Sequence, residues 1–181
     1  MNNIYLVRHC KADGQAADVP LTELGVQQAN QLAQFLASKQ IDSIISSPYT
    51  RAYQSIKPLA DQLLLEVAFD DRLVERVLSD KNQPNWLEML RRTYDDVDLF
   101  YEGGESSKEA MRRGVDVIME VLEQPLKNTV IVSHGNLISL LLMHFDERFG
   151  FAEWQAMSNP DVYQLSFHHH RPSIQRIWNE D

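Results

Sequence analysis

Two short runs constrain this chain more than any other feature. Asn3 to Val7 and Thr129 to Val132 are apolar and partly β-branched, the pattern of strands buried inside a sheet. Each ends abruptly in a polar cluster that carries a histidine: Arg8-His9-Cys10 after the first, Ser133-His134-Gly135-Asn136 after the second. Between them the periodicity alternates. Thr22 can cap a helix whose Ala29, Leu32, Ala33 and Leu36 recur at helical spacing. Ile41 to Ser46 reads as a further strand, closed by Ser47-Pro48. A second helical stripe, Ala52, Ile56, Leu59, Ala60 and Leu63, contains Pro58, which predicts a kink or a restarted helix.

Later segments continue the alternation. Leu64 to Phe69 suits a strand, and Trp86, Leu87, Leu90 and Tyr94 a short helix after Pro84. Gly103-Gly104 reads as a tight turn. Ser106 and Glu109 have the spacing of a capping box, opening a helix with Met111, Val115, Ile118 and Leu122 along one side. Leu137 to Phe145 is apolar enough for a buried helix. Val162 to Phe167 and Ile174 to Trp178 suit a closing pair of strands around a His/Pro turn. The expectation is a three-layer α/β domain spanning 1–181, with a mostly parallel central sheet and helices on both faces. In such sheets ligands bind at the carboxyl ends of strands. If both histidine-bearing strands are central, His9 and His134 face one crevice with Arg8.

Composition narrows the function. Seventeen Lys and Arg against 26 Asp and Glu leave a formal charge of −9, which opposes nucleic-acid and anionic-membrane partners while permitting a local positive pocket. Cys10 is the only cysteine, so an intrachain disulfide and a multi-thiolate zinc site are both excluded. The first residues carry no basic region ahead of an apolar stretch, and the expected address is cytoplasmic. His168-His169-His170 lies in an expected turn without an acidic partner, so a solvated turn is expected there and no metal site.

Two imidazoles with guanidinium groups in one cleft make a receptacle for a phosphate dianion, because arginine's planar fork matches phosphate oxygens. A histidine kept neutral can attack phosphorus through its free ring nitrogen, giving a phosphohistidine, while neighbouring cations steady the transferring group. The chemistry then needs a general acid at the leaving oxygen. Taken singly, Arg51 and Glu75 read equally well as solvated surface residues.

In sequence order, Leu6-Val7-Arg8-His9-Cys10, Pro20-Leu21-Thr22-Glu23-Leu24-Gly25 with Gln28-Ala29, Ser46-Ser47-Pro48 with Arg51-Ala52, Leu73-Val74-Glu75, Gly104-Glu105-Ser106 and Val132-Ser133-His134-Gly135 resemble the motifs of the histidine phosphatase superfamily, branch 1, with a phosphoglycerate mutase-like fold. The resemblance implies that His9 is the phosphorylated nucleophile and that Arg8, Arg51 and His134 hold the phosphoryl oxygens. It implies too that Glu75 is the proton donor, that Gly135 lies against the substrate, and that no cofactor or metal is used. The activity implied is hydrolysis of a small phosphorylated metabolite. A phosphoglycerate mutase-type isomerase, a phosphohistidine or phosphoprotein phosphatase and a non-catalytic phosphate-binding module are the alternatives.

Three departures accompany the match. Cys10 stands where the family has glycine, and a position needing positive φ would strain it. The Lys11 to Pro20 loop is short and lacks the usual Thr and Asn, so Lys11 or Gln15 is expected to replace a phosphate contact. Arg76-Val77-Leu78-Ser79 follows Glu75 in place of a Gly/Trp/Glu-Gly stretch, and 76–104 is the expected lid and specificity segment.

Overall fold

The computed structural model describes residues 2–168 and 171–179. Six strands form one sheet: β1 (Asn2–Arg8), β2 (Ser43–Ser46), β3 (Val67–Phe69), β4 (Asn128–Ser133), β5 (Asp161–His168) and β6 (Arg171–Arg176). The spatial order is β3-β2-β4-β1-β5-β6. The first four are mutually parallel, while β5 and β6 run antiparallel and extend the sheet past β1. β1 and β4 are therefore central neighbours, and their register sets Arg8 opposite Ser133. The residues that follow, His9 and His134, leave the sheet at the same edge.

Helices cover both faces. α1 (Glu23–Ala37) and α2 (Thr50–Leu63) bury Leu32, Leu36, Ile56 and Leu59 against Val7, Val130, Val132 and Val162. On the opposite face, α3 (Trp86–Asp95), α4 (Ser107–Leu122) and α5 (Gly135–Phe145) pack Leu90, Ile118, Leu137 and Leu141 against Ile4, Leu6, Ile131 and Leu165. A short helix, α6 (Phe151–Gln155), precedes β5. The alternation of inward side chains along β1, odd numbers to one core and even to the other, follows from the two-residue strand period.

Several local expectations meet a different outcome. α2 runs through Pro58 as one element rather than restarting, and ends on Leu64 in the left-handed conformation, which leaves only Val67–Phe69 for β3. A helix buried on one face survives the loss of a single amide donor because its packing supplies the stability. The capping box at Ser106 and Glu109 forms, but the buried side of α4 is Ala110, Gly114, Val117, Ile118 and Val121. Met111, Val115 and Leu122 flank it, because Gly114 admits Leu141 of α5: a Cβ there would lie 2.7 Å from a Leu141 methyl. β6 begins at Arg171 and stops at Arg176, and Trp178 lies beyond it, its ring edge-on to Phe35 at 5.3 Å. His168 ends β5, exposed; His169 and His170 fall outside the described residues. Among the described residues no helix is long and apolar enough to cross a membrane.

Candidate active site

The loop after β1 is pinned before it reaches solvent. Thr22 caps α1 by accepting from the Gly25 amide at 3.0 Å, and its own amide donates to the Lys11 carbonyl. A Cβ at position 25 would collide with that carbonyl oxygen, so the glycine of the Leu-Thr-Glu-Leu-Gly segment is what lets α1 approach the loop. Cys10 is wholly buried, and its amide donates to Ser55 Oγ at 2.8 Å. Positive φ occurs at Gln40 and Leu64 among the described non-glycine residues, and not at Cys10. The condition for strain is therefore not met: the position has ordinary backbone, and Cys10 belongs to the buried cluster with Val7, Ala29 and Leu32.

His9 is fixed at both ring nitrogens. Nδ1 lies 2.7 Å from the Cys10 carbonyl, which can only accept, so Nδ1 carries the proton. Arg51 Nε donates to Nε2 at 3.3 Å, which needs a bare nitrogen there. Burial pushes the imidazole down to about 4, against the Cys10 carbonyl, with Arg51 and Arg8 adding to the depression. At neutral pH His9 is thus an uncharged base whose lone pair sits on Nε2. Asn159 Nδ2 holds the His9 carbonyl from the far side at 2.8 Å.

Around that nitrogen the expected side chains gather. The His9 and His134 rings are 5.2 Å apart at 62°. His134 Nε2 meets Ser47 Oγ at 2.8 Å, and its Nδ1 is buried without a partner among the described residues. Burial, first, and then His9 and Arg51 hold His134 well below its ordinary value, so it too is neutral. Tyr49 stands between His134 and Arg51, 5.0 Å from each, edge-on to the imidazole and under the guanidinium. Arg51 is anchored by the Ala16 carbonyl at 2.7 Å. Arg8 donates to the Met157 carbonyl at 3.0 Å, and its buried Nε has no partner among the described residues. Its guanidinium lies flat on Gly135, where a Cβ would come within 2.9 Å of Cζ.

Glu75 approaches from the segment after β3. Its carboxylate accepts from the amides of Arg76 (2.8 Å), Leu137 (2.9 Å) and Asn136 (3.1 Å). It therefore caps α5 across 60 residues of sequence, in the place of His134, the preceding residue, which makes no cap bond of its own. A carboxylate at the positive end of a helix is favoured there. Arg113 of α4 braces the same segment, donating to the carbonyls of Arg72, Val74 and Glu75 while forming a two-pronged pair with Glu105. Arg76 is buried and spends its donors on Glu105 O, Thr93 Oγ1 and Asn136 Oδ1.

Arg8, His9, Tyr49, Glu75 and Gly135 line a cavity of about 630 Å³, while Arg51 and His134 adjoin His9 without lining it. Lys11 is exposed and does not line it; the loop turns so that its carbonyl, not its ammonium, is used, and Gln15 reaches the cavity instead. Sequence reasoning missed Tyr49, Ser47, Arg113 and Asn159. Tyr49 and Ser47 lie within the Ser-Ser-Pro-Tyr-Thr-Arg segment, whose polar run was the available signal. Nothing local marks Arg113 or Asn159.

A neutral histidine with a bare nitrogen, two guanidinium groups and a carboxylate converging at the carboxyl ends of parallel strands define a phosphoryl-transfer class of site. The chain belongs to the histidine phosphatase superfamily (branch 1), whose family model matches residues 4–180. It is 28% identical over 158 residues to "Putative phosphoserine phosphatase 2" of Hydrogenobacter thermophilus, covering 78% of this chain and 77% of that protein. It is 32% identical over 160 residues to "Probable phosphoglycerate mutase GpmB" of Yersinia pestis, covering 78% and 74%. Among solved structures, a mycobacterial glucosyl-3-phosphoglycerate phosphatase with inorganic phosphate superposes with a TM-score of 0.80 at 28% identity, over 99% of this chain and 98% of that one. The phosphoserine phosphatase of Entamoeba histolytica, solved with 3-phosphoglyceric acid, shares the fold at TM-score 0.80 and 20% identity, over 99% and 98%.

Proposed function

We propose that this chain is a phosphomonoester hydrolase acting on a small phosphorylated metabolite through a phosphohistidine at His9. The observation that carries the reading is the fixed tautomer of His9, with Nδ1 on the Cys10 carbonyl and Nε2 bare beside Arg51. A dianionic phosphoryl group entering the base of the cavity takes over the Arg51 Nε donor, freeing the Nε2 lone pair. The N–P bond forms at Nε2 as the ester P–O bond breaks, and Glu75, which enters this step carrying a proton taken from water, gives it to the departing oxygen. Arg8, Arg51 and a His134 tautomer with Nδ1 protonated hold the non-bridging oxygens. Gly135 lets Arg8 lie close beneath them, and Lys11 is left without a role. In the second half, Glu75 takes a proton from water, whose oxygen attacks phosphorus. The N–P bond breaks, and phosphate leaves.

The substrate is a small molecule rather than nucleic acid or membrane, given the charge of −9, and the setting we propose is cytoplasmic. The whole chain, 1–181, acts as one catalytic unit, with 76–104 as the segment over the substrate; Val77, Leu78, Lys81 and Trp86 of that segment line the cavity. The test is hydrolysis of p-nitrophenyl phosphate with trapping of an acid-labile phosphoenzyme. His9→Ala should abolish both, and undiminished turnover in that variant defeats the assignment. The 32% relative named as a mutase supports a second reading, in which phosphate moves within a sugar acid. With 3-phosphoglycerate, released phosphate favours hydrolysis, and a rearranged ester favours the isomerase.

A further inference from the structure

Resting on the phosphatase reading, the outer cavity narrows the alcohol that leaves. Beyond Glu75 the walls carry two indoles, Trp86 of α3 and Trp154 of α6, with ring centres 6.5 Å apart and planes at 87°. Trp86 is about half exposed, so part of its ring is open to the cavity. Gln15, Asn82 and Gln83 stand in the same walls, with side-chain amides that bond no other described residue. Cationic groups are few. Lys81 is paired with Glu102 at 2.6 Å, and the Arg76 donors are committed within the protein.

A carboxylate on the leaving alcohol would therefore meet one exposed lysine, which it would share with Glu102. A flat base could stack on only one of the two indoles, whereas their perpendicular faces together offer a corner. A puckered ring with C–H groups on one side and hydroxyls on the other suits a corner of this kind, because indole faces take C–H groups while amides both donate and accept. We infer that the preferred substrates are phosphate esters of uncharged, ring-form polyhydroxy compounds, that is, monosaccharide phosphates, with Trp86 and Gln83 as specificity-determining residues.

The experiment compares kcat/KM for hexose and pentose phosphates, phosphoserine, 3-phosphoglycerate and a nucleoside monophosphate, using the full chain. Sugar phosphates should lead each of the others by tenfold or more. Trp86→Ala and, independently, Gln83→Ala should raise KM for the best sugar phosphate severalfold, with inhibition by vanadate unchanged, since vanadate reads only the phosphoryl pocket. A lead for the carboxylated esters or the nucleotide overturns the inference, as does an unchanged KM in both variants. The hydrolytic reading is judged separately, by p-nitrophenyl phosphate turnover and its loss in His9→Ala.

Discussion

Replacing Glu75 by Gln tests whether one carboxylate serves both the helix end and the leaving group. The side chain keeps its shape, but one of its two oxygens becomes an NH₂. Oxygen Oε1 takes the Arg76 and Leu137 amides and Oε2 the Asn136 amide. In the variant the remaining oxygen keeps the first two, and the new NH₂ confronts the Asn136 N–H. One charge-assisted bond, about 1.5–3 kcal/mol, is lost. The favourable charge at the α5 N-terminus, about 0.3–1 kcal/mol, goes with it. The sum, about 2–4 kcal/mol, is readable as a lowered urea midpoint with an unchanged slope. On the proposed mechanism, the phosphorylation step loses its acid, a factor of about 10² to 10⁴ for esters of ordinary alcohols. Esters of p-nitrophenol, whose anion leaves unprotonated, should still phosphorylate His9. Because the base for water is also gone, the phosphoenzyme then accumulates. Rapid-mixing experiments should therefore show a burst of about one p-nitrophenolate per enzyme, followed by slow turnover, and almost no reaction with an alkyl phosphate. Equal slowing of phosphorylation for the two esters, in a variant shown to be folded, would refute the assignment of the proton to Glu75.

Arg113→Met removes donors to three carbonyls and leaves Glu105 half-buried without its partner; a loss of about 2–4 kcal/mol in urea unfolding is expected, with a larger drop in turnover of alkyl than of p-nitrophenyl phosphate. The low value of His9 makes the native state bind its proton only near pH 4, whereas the unfolded chain binds it near 6.5. Its contribution to stability is therefore complete above pH 6.5 and falls away, by about 3 kcal/mol in all, between 6.5 and 4. NMR of the folded protein should show no His9 titration above pH 5, and a midpoint near 6.5 would contradict the buried tautomer. Gly135→Ala places a methyl against the Arg8 guanidinium, so vanadate inhibition should weaken tenfold or more while the fold, followed by circular dichroism, persists. The Cys10 thiol, pushed up to about 12 by burial, should resist thiol reagents in the native protein and react only after unfolding.

The sheet and the meeting of His9 with His134 were legible because both rest on short-range pattern: apolar runs that must be buried, each stopped by a histidine-bearing cluster. Arg51 and Glu75 needed the family resemblance, since nothing in a helix's first turn or a loop carboxylate separates them from surface residues. The stripe Met111, Val115, Ile118 and Leu122 does pack on the core, but the most buried side of α4 also runs through Gly114, which contributes no hydrophobicity to a pattern and yet admits Leu141 of α5. Lys11 was a reasonable cation by position, but the backbone decides which atom of it faces inward, and that depends on Gly25 and Thr22 some distance along the chain. Arg113 and Asn159 act on carbonyls, which carry no residue identity for a sequence to display.

The pairing of β1 with β4 carries a consequence of its own. Because Arg8 sits across from Ser133, the two imidazoles are brought level by the ladder between residues 3 and 8 and residues 128 and 133. Shifting one strand along the other by a single step would exchange inward and outward faces and send one histidine into the core. Lengthening or shortening either strand should thus be far more damaging than any substitution of one buried aliphatic for another.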